Sequence, residues 1–237
     1  PKFYGKIKNE NSIAIEFING CTLNMAIENK LSFEEKINII IEVILSFGYL
    51  HENKIIYRDL KPSNIMIDIN NTAVVIDFDR AINGDTNDNP IDRTNDFGSD
   101  FIAPEVNSHH FSYPCDIYSI GKIIRFLIND GKLGPINSSK SLKYSQEIIE
   151  ICEKCTNNNS SERPTILYLI IFFLERFQDQ INNNDNLMNL INLLIKSNNK
   201  FLIEKSDQIL SILQEFNPPL DINKIIHYYS LAADQNI

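Results

Sequence analysis

Between Ile55 and Asp79 the chain reads IIYRDLKPSNIMIDINNTAVVIDFD, and four residues of this stretch, Asp59, Lys61, Asn64 and Asp77, share a chemical use. One carboxylate can take up a proton and one ammonium can meet a phosphate. An amide and a second carboxylate can hold a hard cation through oxygen. Three short apolar runs, Ile55 to Tyr57, Ile65 to Ile67 and Ala73 to Ile76, alternate with polar turns, so three short strands are expected to bracket the loop that carries the set. Each residue also has a plainer use when taken singly: Asp59 could pair with Arg58 or cap a turn, Lys61 could face solvent, and Asn64 could be a turn amide. Together, at this spacing, the chemical use prevails.

YRDLKPSN closely resembles the catalytic loop of eukaryotic protein kinases, and VIDFD resembles their magnesium-binding strand and turn. Further matches follow in the same order along the chain. Ala103-Pro104-Glu105 stands where an activation segment ends, CDIYSIG (Cys115 to Gly121) resembles the opening of the central helix, and Arg163-Pro164-Thr165 resembles the late arginine motif.

The resemblance implies a role for each position. Asp59 would accept the hydrogen bond of a substrate hydroxyl, and Lys61 would neutralise charge on the transferred phosphoryl group. Lys61 also resembles the serine/threonine-directed branch. Asn64 and Asp77 would bind magnesium, Met66 would form the floor under the adenine, and the backbone of Glu16 and Ile18 would meet the adenine edge at a hinge that follows Ile15. Arg58 would answer phosphorylation of the loop between Asp79 and Ala103, with Thr94 the first candidate site and Thr86 the second, and Ser99 would bond the catalytic aspartate. Glu105 and Arg163 would form a buried ion pair, and Asp116 would hold the backbone of the catalytic loop. ATP and Mg2+ are the implied cofactors, and a protein is the implied substrate. Two residues depart from the family's pattern. Tyr57 replaces the usual histidine but keeps an aromatic ring to pack on Phe78. Asp79 replaces a glycine, which adds a negative charge beside the cation site and restricts a turn that must rearrange.

The net charge of -9 and pI near 5.0 over 237 residues argue against nucleic acid and acidic membrane surfaces as partners. The longest apolar run, Ile166 to Leu174, falls well short of the ~20 residues of a spanning helix, and no signal peptide is visible. Cys21, Cys115, Cys152 and Cys155 lack zinc-module spacing and read as reduced core thiols of a cytoplasmic protein. Nothing before Ile55 resembles a glycine-rich phosphate loop or its strand lysine. The chain therefore reads as a fragment that would be poorly active alone.

The elements that must position these residues give an α+β, protein-kinase-like fold. Residues 1–18 would be a remnant N-lobe hairpin and hinge, 19–177 a mostly helical C-lobe, and 178–237 a helical tail. Ser32 and Glu35 form a capping box ahead of a helix that runs to about Leu50-His51, with His51 a packing residue at its end. A central helix is expected over Asp116 to Asn129, with others over Tyr144 to Cys155 and Ile166 to Phe177. The final IIHYYSLAADQNI resembles a Sel1-type repeat helix, which would offer a surface to a protein partner. Transfer of phosphate from ATP to protein serine or threonine is the leading reading. A pseudokinase scaffold is the alternative, and a small-molecule phosphotransferase is disfavoured by Ala103-Pro104-Glu105 and Arg163.

Overall fold

A computed structural model describes residues 1–8, 12–84, 100–108, 111–135 and 146–177. Helices carry the core and small antiparallel sheets carry the loops, so the architecture is α+β. β1 (Phe3–Lys6) pairs with β2 (Ile13–Ile15) as a hairpin. β3 (Gly20–Thr22) leads into the short α1 (Leu23–Glu28) and then α2 (Phe33–Glu52). β4 (Ile55–Ile56), β5 (Ile65–Asp68), β6 (Ala73–Val75) and β7 (Ile82–Asn83) follow, then α3 (Tyr113–Ile128), α4 (Gln146–Cys155) and α5 (Ile166–Arg176).

The capping box forms as expected. Glu35 N–H donates to Ser32 Oγ (3.1 Å) and Ser32 N–H donates to Glu35 Oε2 (2.7 Å), which satisfies two of the exposed donors at the helix start. From there α2 is buried on nearly every side, by α5, α3 and β6, and its isoleucines form the centre of the main core with Phe47, Tyr57 and Leu60.

Burial all round traps a carboxyl group. Glu42 is 1% exposed, and its Oε2 accepts a hydrogen bond from Ala73 N–H (2.6 Å). Burial, aided by nearby Asp68, pushes its pKa up to about 8. The folded chain thus keeps a proton on Glu42 that the unfolded chain releases at ordinary glutamate pH. Stability from this proton is complete below that ordinary value and is lost as pH rises through about 8. Glu42→Gln keeps an acceptor for Ala73 and removes the titration. Urea unfolding across pH 5 to 9 should show a fall with pH in the parent, by roughly 4–5 kcal/mol at the alkaline end, that is flattened in the variant. Parallel profiles would remove Glu42 as the source.

The three expected strands form, but they do not share a sheet. β4 pairs with β7, matching Ile56 to Ile82, whereas β5 lies between β3 and β6. The loop from β4 to β5 and the segment from β6 to β7 therefore cross between the same two sheets, side by side. Gly20 lets β3 approach β5 closely, since a Cβ there would sit 2.0 Å from the Ile67 carbonyl oxygen. The central helix starts at Tyr113 rather than Asp116. Pro114 falls in its first turn, where a missing N–H and a fixed φ are compatible with a helix start, and Asn129 is the C-cap. Expected Tyr144–Cys155 is described from Gln146, and expected Ile166–Phe177 ends at Arg176. No described helix is long and apolar enough to cross a membrane.

Candidate functional site

The loop after β4 is held from beneath by α3. Asp116, fully buried near the start of that helix, accepts hydrogen bonds from Tyr57 N–H (2.9 Å) and Arg58 N–H (2.8 Å), one on each carboxylate oxygen. His51 Nε2 also donates to Asp116 Oδ2 (3.0 Å). His51 therefore does more than pack: it ties the end of α2 to the residue that anchors the loop, which its position in the sequence does not reveal. Arg58 is thereby fixed at φ +69°, a left-handed conformation a non-glycine residue adopts at a cost of roughly 1–3 kcal/mol.

The four sequence-predicted site residues are drawn toward one place. Asp59 is buried, and its Oδ2 accepts hydrogen bonds from Lys61 Nζ (2.8 Å) and Asn64 Nδ2 (3.0 Å), while Asn64 Nδ2 also donates to the Asp59 carbonyl (2.9 Å). Arg80 Nε lies 3.8 Å from the same Oδ2. Among the described residues no hydrogen-bond donor meets Oδ1. Ile76 N–H donates to the Asn64 carbonyl (3.0 Å), which docks the end of β6 on the loop and brings Asp77 beside it.

Tyr57 welds the two segments together. Its ring is fully buried and meets Phe47 and Phe78 edge-on, with centroids 5.5 and 5.2 Å away, and its hydroxyl donates to the Ile76 carbonyl. Burial raises the tyrosine pKa, followed by the carboxylates of Asp59 and Asp77, so one ring feels both charges. Asp77 stands at φ +63° and is open to solvent on one side. Partial desolvation and then the charge of the neighbouring Asp79 raise its pKa. The residue that departs from the family's glycine thus adds its charge beside the candidate cation ligand.

The remaining predicted residues are placed around this centre. Arg58 Nε donates to the Arg80 carbonyl (2.6 Å) and its guanidinium lies over the Phe111 ring (4.4 Å), and burial lowers its pKa. Arg163 grips both oxygens of Glu105 and donates to the Pro114 and Asn157 carbonyls. Met66 is half-buried on β5 between Thr22 and Val74. Glu16 is exposed, its N–H donating to the Lys2 carbonyl (2.7 Å), and Ile18 is half-buried between that residue and β3. Thr94, Thr86, Ser99 and the Sel1-like helix lie outside the described residues. Cys115, Cys152 and Cys155 are buried free thiols, and burial raises the pKa of each, that of Cys152 up to about 12.

The donor set suits a small hard cation. Asn64 and Asp77 offer oxygen, and two neighbouring carboxyl groups, Asp77 and Asp79, favour a positive charge at that point. Among the described residues no group of three or more His, Cys, Asp or Glu could hold a metal ion by itself.

The chain matches the protein kinase domain over residues 2–214. It is a protein kinase family member. The match extends into the segment read from sequence as a tail. Similar chains include a "probable serine/threonine-protein kinase" of Dictyostelium discoideum, 29% identical over 73% of this chain and 21% of that protein. The MAP kinase kinase kinase mkh1 of Schizosaccharomyces pombe is 26% identical over 81% of this chain and 19% of its own. Serine/threonine-protein kinase TOS3 of Saccharomyces cerevisiae is 33% identical over 50% of this chain and 23% of its own. This kinase chain thus spans about a fifth of the length of the first two relatives.

Proposed function

We propose that the full-length protein transfers the γ-phosphoryl group of ATP to serine or threonine hydroxyls of protein substrates, in the cytoplasm. The observation that carries this reading is the division of labour on Asp59. Oδ2 is occupied by Lys61 and Asn64, which fixes the carboxylate plane, and Oδ1 remains to receive the proton of an acceptor hydroxyl. Lys61 sits where it can follow the charge from Asp59 onto the phosphoryl group. Asn64 and Asp77 would hold magnesium, which supplies charge neutralisation of the phosphates. Glu16 and Ile18 would meet the adenine edge over Met66. The relatives' names support serine/threonine as acceptors.

A second reading, a pseudokinase that binds or scaffolds with little transfer, is favoured by Asp79, which stands in place of a glycine and adds its charge beside Asp77. Incubating the full-length protein with γ-labelled ATP, magnesium and casein separates them. Label on casein serine or threonine supports the transferase. Nucleotide binding without transfer supports the scaffold.

A further inference from the structure

We infer that Arg80 is a phosphate-binding residue, whose guanidinium helps hold the terminal phosphate of the bound triphosphate. This rests on the phosphotransfer reading above. Arg80 belongs to neither of the motifs that define the site, and it follows the Asp79 departure directly. Its backbone is pinned: Ala81 N–H donates to the Phe78 carbonyl (3.1 Å) across the turn, and the Arg80 carbonyl accepts from Arg58 Nε (2.6 Å). Its side chain comes near Asp59, with Nε 3.8 Å from Oδ2, too long for a hydrogen bond and close enough for charge attraction. The side chain is 15% exposed against 32% for Lys61, so it is the more buried of the two cations beside Asp59.

Charge explains why a second cation is needed there. Asp59, Asp77 and Asp79 bring three carboxylates to a place that would also receive a triphosphate. Lys61 contributes one ammonium, and the Arg58 guanidinium lies over the Phe111 ring. Arg80 supplies a planar fork that matches phosphate oxygens, which an ammonium does not. Asp79 and Arg80 then act as a pair, the first adding negative charge on the cation side and the second adding positive charge on the phosphate side.

Calorimetric titration of the full-length protein with magnesium-ADP and with magnesium and the β,γ-imido analogue of ATP tests this. Arg80→Met keeps the apolar stem and removes the charge, and Arg80→Lys keeps the charge and removes the fork. The expected result is a loss of about tenfold or more in affinity for the triphosphate analogue in Arg80→Met, with ADP affinity within about twofold, and an intermediate loss in Arg80→Lys. Unchanged affinity for both nucleotides overturns the inference, as does an equal loss for both. A rise in acceptor KM with nucleotide binding intact also overturns it, since Arg80 would then face the acceptor. If the parent binds neither nucleotide, the phosphotransfer reading itself falls. If a variant's melting temperature shows that it has not folded, the Arg80→Lys comparison decides alone.

Discussion

Asp59→Asn should lower the rate of labelled-phosphate transfer by about a thousandfold while the melting temperature stays close to that of the parent. The change is nearly isosteric and replaces one oxygen by a nitrogen. Lys61 Nζ, 2.8 Å from Oδ2, and Asn64 Nδ2, 3.0 Å away, are both donors, so they select the orientation with the amide oxygen at that position. The amide NH2 must then occupy the place of Oδ1, and a donor faces the acceptor hydroxyl where a proton has to be received. Single-turnover transfer from γ-labelled ATP under saturating nucleotide isolates the chemical step. A variant that retained more than about a tenth of the parent rate would show that Asp59 positions the loop without taking part in the reaction.

Truncating Arg163 should be the most destabilising single change among the described charged residues. Its guanidinium is fully buried. It donates to Glu105 Oε2 (2.8 Å), to the Pro114 carbonyl (2.9 Å) and, from Nε, to the Asn157 carbonyl (2.8 Å), with the Tyr118 ring 5.0 Å away. Arg163→Met strands the Glu105 carboxylate and two carbonyls at once, so a loss of about 3–5 kcal/mol in denaturant unfolding is expected. The comparison that gives this number meaning is Arg176–Glu147, a pair of similar length (2.8 Å) between half-exposed side chains. Arg176→Met should cost below about 1 kcal/mol, because solvent already screens that pair. Similar losses in the two variants would mean that burial does not set the strength of the Glu105–Arg163 tie.

The legible parts of this chain are those whose physical cause is local. The Ser32–Glu35 cap needs a hydroxyl and a carboxyl three residues apart, and the sequence displays both. Asp59, Lys61 and Asn64 lie in one loop, so their proximity follows from the chain itself. The features that escaped the sequence arise where distant segments meet. Arg80 reaches Asp59 because the segment after β6 crosses beside the loop between β4 and β5, an outcome of β4 pairing with β7 and β5 with β6. His51 finds Asp116 because α2 and α3 pack together, 65 residues apart in the chain. Glu42 is charged in the free chain, and its burial follows from the packing of β6 on α2, where Ala73 N–H meets its carboxyl group. The central helix begins at Tyr113, three residues before the expected Asp116, because Pro114 is compatible with a first turn. Asp79, one of the two departures visible from the start, is readable as a residue but not as a neighbour: its place beside Asp77 goes with the left-handed turn at Asp77.

The central claim is that Asp59, Lys61, Asn64 and Asp77 surround one nucleotide-bound cation. The most direct measurement is ADP affinity of the full-length protein by calorimetry, with and without magnesium, in the parent and in Asp77→Asn. The account expects magnesium to tighten ADP binding by about tenfold or more in the parent and to have little effect in Asp77→Asn, because one carboxylate carries most of the protein's share of the coordination. An ADP affinity indifferent to magnesium, or a magnesium effect that survives intact in Asp77→Asn, would contradict it.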